Sequence, residues 1–173
     1  MTAEVERIAR YLILQGRGAK LKNKLGEGTD GVVWATDCDS AVKALRNEIS
    51  YHNERDTYLR LAEFGITEKI CGFWVPKMTG WSDELQVIEM DIVQTPPYII
   101  DFAKVRLNSS PEFPAETLAE MEAEGLWRFG RNWPTVKMLL EELESYLIFY
   151  LDPKPHNIVF QNPDDSGPLP PHY

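Results

Sequence analysis

The stretch Gly26-Glu27-Gly28-Thr29-Asp30-Gly31-Val32-Val33 constrains this chain more than any other. Gly26, Gly28 and Gly31 fall in the pattern G-x-G-x-x-G, which two unrelated architectures use to approach phosphate groups. A dinucleotide-binding βαβ unit needs a helix to begin at the motif. Here Val32, Val33 and Trp34 follow, β-branched or aromatic residues that favour a strand. The motif therefore reads as a glycine-rich turn between two strands. Asp37-Cys38-Asp39-Ser40 is a second turn, leading to a third strand over 41–45, and such short connections imply an antiparallel meander.

Elsewhere the periodicities are mostly helical. Residues 3–15 place Val5, Ile8, Ala9 and Leu12 on one face, before Gln15-Gly16-Arg17-Gly18 ends the helix. A second helix is predicted over 47–64, with Tyr51, Tyr58 and Leu61 on one face and Glu54 among them. A carboxylate in an apolar stripe is costly unless it meets a cation. Lys43 is the candidate partner, and the alternative is a solvated position at the stripe's edge. Phe73-Trp74-Val75-Pro76 and Leu85 to Met90 read as two further strands, separated by a turn containing Gly80. Thr95-Pro96-Pro97 breaks the chain, Tyr98 to Ala103 is an apolar segment, and 107–114 reads as loop. Residues 115–128 are Glu-rich and helix-favouring. A long helix is predicted from Trp133, with Pro134 in its first turn and an apolar stripe of Val136, Leu139, Leu140, Leu143 and Leu147.

Composition narrows the function classes. A formal net charge of −9 over 173 residues argues against non-specific binding to nucleic acid or anionic membranes, both of which need a basic surface. Trp34, Trp74, Trp81, Trp127 and Trp133 are accordingly read as packing groups. Cys38 and Cys71 sit in no motif and read as reduced thiols. His52 and His172 have no metal-ligand spacing and read as surface positions. No apolar run reaches the roughly 18 residues of a membrane span, and the N-terminus lacks a signal-peptide layout. A cytoplasmic location is expected.

The second informative stretch is Asp152-Pro153-Lys154-Pro155-His156-Asn157, followed by Ile158-Val159-Phe160. Its pattern, D-x-K-P-x-N, follows in order a glycine hairpin, an Ala41-Val42-Lys43 strand and a helix bearing a glutamate. Together these residues resemble the protein-kinase-like superfamily over about residues 20–160. Asn53-Glu54-Arg55-Asp56-Thr57-Tyr58-Leu59-Arg60-Leu61 and Val87-Ile88-Glu89-Met90 fit small, atypical bacterial members. The resemblance implies an α+β fold in one domain spanning 1–173. Residues 1–91 would form an N-lobe, an antiparallel five-stranded sheet with one packed helix. Residues 92–160 would form a shortened helical C-lobe with one long helix, and 161–173 an irregular tail.

The same resemblance implies a minimal ATP-dependent phosphotransferase using ATP and Mg²⁺ and acting on a protein or small-molecule hydroxyl. The alternative is a non-catalytic pseudokinase that serves as a nucleotide-binding or interaction module. Gly26, Gly28 and Gly31 would let backbone N–H groups approach phosphate oxygens. Val33 and Ala41 would border the nucleotide. Lys43 would pair with the α- and β-phosphates and be held by Glu54. Ile88 would guard the back of the pocket, and backbone groups of Glu89, Met90 and Asp91 would read adenine. Asp152 would orient the acceptor hydroxyl, Lys154 would sit near the transferred phosphate, and Asn157 would hold Mg²⁺. His156 occupies the variable position of the loop.

Four departures from the family pattern stand out. Glu54 follows Lys43 by only eleven positions, with Glu48 as the fallback partner. Tyr150-Leu151 replace the His-Arg before the aspartate, which should weaken the loop's packing. No clear Asp-Phe-Gly follows Asn157. Asp165-Ser166-Gly167 is its faint echo, making Asp164 and Asp165 candidate metal ligands, with a solvated turn as the alternative. No activation segment or further helical lobe is expected before Tyr173.

Overall fold

The computed structural model describes residues 2–162. Five strands form one antiparallel sheet in the order β1-β2-β3-β7-β6: β1 is Leu21–Glu27, β2 Gly31–Thr36, β3 Ser40–Leu45, β6 Met78–Ser82 and β7 Val87–Asp91. The central strand β3 is buried at every position, as a strand covered on both faces must be.

Each face of the sheet carries a helix. Helix α1 (Ala3–Leu14) is capped by Thr2 and lays Ile8, Tyr11 and Leu12 on Val32, Val42, Ala44 and Val87. Helix α2 (Glu48–Glu63) is capped by Asn47, whose side chain accepts from the Ser50 N–H at 2.7 Å. It lays Tyr51, Tyr58 and Leu61 on the opposite face, with Ala41, Leu45, Ile88 and Met90. The expectation of one packed helix thus becomes two. Strand alternation puts Lys43 on the α2 face and Glu89 on the α1 face.

The fifth strand of this sheet is Met78–Ser82, where Gly80 had read as a turn. Gly80 pairs with Glu89 inside the strand, and a Cβ there would lie 2.4 Å from the Tyr11 hydroxyl, so glycine makes room for α1. Phe73–Trp74 (β5) belongs instead to a four-stranded sheet of order β11-β8-β5-β4, with β4 Lys69–Ile70, β8 Tyr98–Ile99 and β11 Ile158–Val159. Strands β9 (Val105–Leu107) and β10 (Ile148–Tyr150) pair antiparallel, with Val105 opposite Tyr150.

The second half has two long helices rather than one: α3 (Ala115–Phe129) and α4 (Trp133–Ser145). Val136, Leu139 and Leu143 are buried as the stripe predicts, but Leu147 lies beyond the helix, half-exposed, with φ 58°. Trp133 packs in the core, stacked on Phe129, whereas Trp81 and Trp127 are exposed and not packing groups. One hydrophobic cluster runs from Ala41 in the sheet through Phe102, Phe129 and Leu143 to Ile158. Cys38 and Cys71 are exposed and unpaired with one another. Among the described residues no helix is long and apolar enough to cross a membrane.

Beneath α1 lies a polar cluster. Glu89 is 1 % exposed. It accepts hydrogen bonds from Tyr11 Oη (3.0 Å) and Ser40 Oγ (2.7 Å), and its ion pair is with Arg17. Burial and the Glu89 charge together push the Tyr11 phenol above its usual range. Tyr11→Phe should therefore lower stability by about 1–3 kcal/mol, the cost of depriving a buried carboxylate of a donor. Urea denaturation measures it, and an unchanged midpoint would mean that Tyr11 contributes only packing.

Candidate functional site

Lys43 lies between three segments. Its register partners are Val33 in β2 and Ile88 in β7, and its side chain is nearly inaccessible. The Nζ donates to Glu54 Oε2 at 2.6 Å and to Asp101 Oδ1 at 2.9 Å. Helix α2 starts three residues after β3, so the eleven-residue spacing suffices. Glu48, the fallback, sits outside this cluster and pairs with His52 at 3.5 Å.

Two carboxylates here share one ammonium. Burial works against charge on Lys43, but Glu54 and Asp101 outweigh it and hold the amine above its usual range. Glu54 is the more enclosed carboxylate, and desolvation pushes it up to about 7 against the pull of Lys43. Burial also opposes ionisation of Asp101, yet Lys43 and the Ala103 N–H keep it below the usual range. Of the two carboxylates, Glu54 is thus the one whose charge burial opposes most.

Asp101 is the residue that sequence reasoning missed. Asp101-Phe102-Ala103 contains an Asp-Phe pair, but it precedes the Asp152 loop in the chain instead of following Asn157. The topology explains the reversal. Strand β8 pairs antiparallel with β11, Ile158 opposite Ile99, and the Ile100 N–H donates to the Asn157 carbonyl at 2.9 Å. Asp101 is thereby set beside Asn157. Its φ of 66° is an uncommon conformation for a non-glycine residue, and that was not visible in sequence. Tyr150 fixes the same point. Its hydroxyl is shared between the carbonyls of Ile100 (3.0 Å) and Asp101 (2.9 Å), so Tyr150 anchors the loop rather than weakening it.

A cavity of about 240 Å³ opens between the glycine turn and this loop. Gly28, Thr29 and Asp30 form one wall, and Asp101, Lys104, Tyr150, Asp152, Lys154, His156 and Asn157 the other. Asp152 accepts from Arg128 at 3.2 Å and lies 2.5 Å from Lys154 Nζ. Partial burial opposes its ionisation, but the bonds from Lys154 and Arg128 hold the carboxyl below the usual range.

Other expected residues are placed differently. Gly26 and Gly28 have open space where a Cβ would be. Gly31 does not: a Cβ there would lie 2.3 Å from the Ala44 carbonyl, so this glycine serves strand contact. Ala41, Ile88 and Met90 are buried in the main core with Val33 packed on it, and none lines the cavity. The Glu89 side chain faces α1, and the Asp91 N–H is committed to the Lys77 carbonyl at 2.9 Å rather than offered to a base. Asp164, Asp165 and His172 lie outside the described residues. Among the described residues no cluster of three or more His, Cys, Asp or Glu side chains forms a metal site.

No family model matches the chain, and no curated protein matches it. A solved structure similar to it is a streptomycin–ATP–APH(2")-IIa ternary complex, with TM-score 0.41 and 15% identity. The alignment covers 86% of this chain and 41% of that one, so the chain spans about two fifths of that protein's length.

Two expected outcomes follow from this geometry. Gly31→Ala should destabilise by about 1–3 kcal/mol through backbone overlap, whereas Gly28→Ala should leave the denaturation midpoint in place. Equal midpoints for the two variants would contradict the assigned contact. Glu54 titrates higher in the folded than in the unfolded chain. Its stabilisation is therefore complete below its ordinary 4.5 and is lost as pH rises through about 7. Glu54→Gln should flatten the melting-temperature profile across that window, and superimposable profiles would show that Glu54 does not titrate there.

Proposed function

We propose that this chain is a minimal ATP-dependent phosphotransferase with a kinase-like fold. In that reading residues 1–91 are the nucleotide lobe, 92–160 a reduced second lobe and 161–173 a tail. The observation that carries it is the joining of Lys43 to Glu54 and Asp101, with Asp101, Asp152, Asn157 and Gly28 around one cavity.

Each residue has a chemical task. Gly26 and Gly28 leave the turn open for phosphates to approach its backbone, with the Gly28 N–H itself held by the Gly31 carbonyl at 3.0 Å. Lys43 neutralises the α- and β-phosphates, positioned by Glu54. Asp101 and Asn157 would offer a Mg²⁺ one carboxylate and one amide oxygen, both hard ligands. Mg²⁺, when bound, supplies charge neutralisation at the phosphates. Asp152 orients the acceptor hydroxyl and takes its proton as the oxygen–Pγ bond forms and the bond from Pγ to the β,γ-bridging oxygen breaks, releasing ADP. Lys154 stabilises the transferred group.

A second reading, a non-catalytic nucleotide or phosphate binder, is favoured by one specific observation. The cavity is about 240 Å³, below the roughly 300–1,000 Å³ usual for small-molecule sites. Val33, Ala41, Ile88 and Met90, expected around adenine, are packed into the core.

Thermal melts with ATP and Mg²⁺ separate these readings. A concentration about a hundredfold above Kd should raise the parent's melting temperature by about 5–10 °C. Lys43→Ala and Asp101→Asn should abolish most of that shift. Asp152→Asn should keep it while lowering γ-phosphate transfer or ATP hydrolysis by about 10²–10⁴-fold. No shift in the parent would defeat both readings, and a shift without turnover would leave the binder.

A further inference from the structure

The cavity is acidic for a triphosphate site. Asp30, Asp101 and Asp152 line it against Lys104 and Lys154. An entering triphosphate must find cations there, and most of those nearby are closely committed. Lys43 is buried and hydrogen-bonded to two carboxylates. Lys154 lies 2.5 Å from Asp152, and Arg128 is spent on Asp152, Glu124 and the Pro153 carbonyl.

Lys104 differs. Its Nζ is 3.6 Å from Asp30 Oδ2, on the glycine turn, and 3.7 Å from Asp152 Oδ2, on the opposite wall. Both distances exceed hydrogen-bond range, and the side chain is 45% exposed. Ion pairs of that kind are worth little, so this ammonium is cheap to redirect. Its backbone is fixed, however. The Leu151 N–H donates to the Lys104 carbonyl at 3.1 Å, and the next residue, Val105, is in register with Tyr150. Strand pairing therefore holds Lys104 beside Asp152, with only its side chain free to swing.

We propose that Lys104 is the residue that recognises the γ-phosphate of a nucleoside triphosphate. Its ammonium lies between Asp30 and Asp152, within ion-pair distance of both. With a triphosphate present it leaves both carboxylates for the terminal phosphate, which also uncovers Asp152 toward the acceptor. A diphosphate ends short of it and leaves both ion pairs in place. The inference rests on the nucleotide reading above and adds to it a residue that discriminates triphosphate from diphosphate.

Isothermal titration calorimetry with ATP and with ADP, each with Mg²⁺, tests it on the parent, Lys104→Met and Lys104→Arg. Lys104→Met should weaken ATP binding by about 10–100-fold, the loss of a charge-assisted contact, while ADP binding stays within about twofold. Lys104→Arg should restore most of the difference. Melts of both variants without nucleotide should match the parent, because the side chain is exposed. Equal loss for both nucleotides, no loss, or tighter ATP binding in Lys104→Met would each overturn the proposal. A parent that binds ATP and ADP but shows such a result refutes the role of Lys104 alone. A parent that binds neither refutes the nucleotide reading and this inference with it.

Discussion

The buried ammonium of Lys43 is the constraint on which the rest of the structure depends. A charge removed from water needs partners, and Lys43 takes one from α2 and one from the segment after β8. Those two partners tie a helix, a sheet and the second half of the chain to one point. The hydrophobic cluster around it supplies most of the driving force but little direction, since apolar contact is non-directional. The paired charges set how the parts are aligned. Burial, with the Asp101 charge adding to it, then holds Glu54 above the usual carboxylate range despite its bond from Lys43.

Strand β7 carries this logic to both faces of the sheet. On one side Ile88 is in register with Lys43, and on the other Glu89 is enclosed by Tyr11, Ser40 and Arg17. The helix on the back of the sheet is therefore held by a polar cluster as well as by Ile8 and Leu12. Ser40 and Glu89 belong to adjacent strands, so this cluster also fixes β3 against β7, and hence the depth at which Lys43 sits.

Much of this was legible before any coordinates. The first three strands were marked by turn residues and β-branched runs, and Glu54 by the cost of a carboxylate in an apolar stripe. The loop from Asp152 to Asn157 was marked by residue types and spacing. What failed did so for physical reasons. The strand Met78–Ser82 alternates in exposure but not in residue hydropathy, since its inward positions include Gly80 and Ser82, and its glycine answers to a tyrosine hydroxyl far away in sequence. Ala41, Ile88 and Met90, expected around a nucleotide, lie in the core under α2, because residue type alone cannot tell a cavity wall from a core. Tyr58 and Phe102, in edge-on contact, help fill that space. Asp101 was hidden by an assumption about order along the chain, because its neighbours Ile99 and Ile100 read only as an apolar segment.

The pairing of β8 with β11 has a consequence for how the chain is made. The glycine turn, Asp101 and Lys104 leave the ribosome well before the segment from Tyr150 to Asn157 that faces them. Asp101 acquires its neighbour only when Ile158 is laid against Ile99, across nearly sixty residues of intervening chain. Such long-range pairing is slow, because loop closure must precede the contacts that reward it. A nascent chain can therefore hold a packed sheet and a paired Lys43 while its cleft lacks one wall. The cavity is closed on both sides only once the last described strand, Ile158–Val159, has docked.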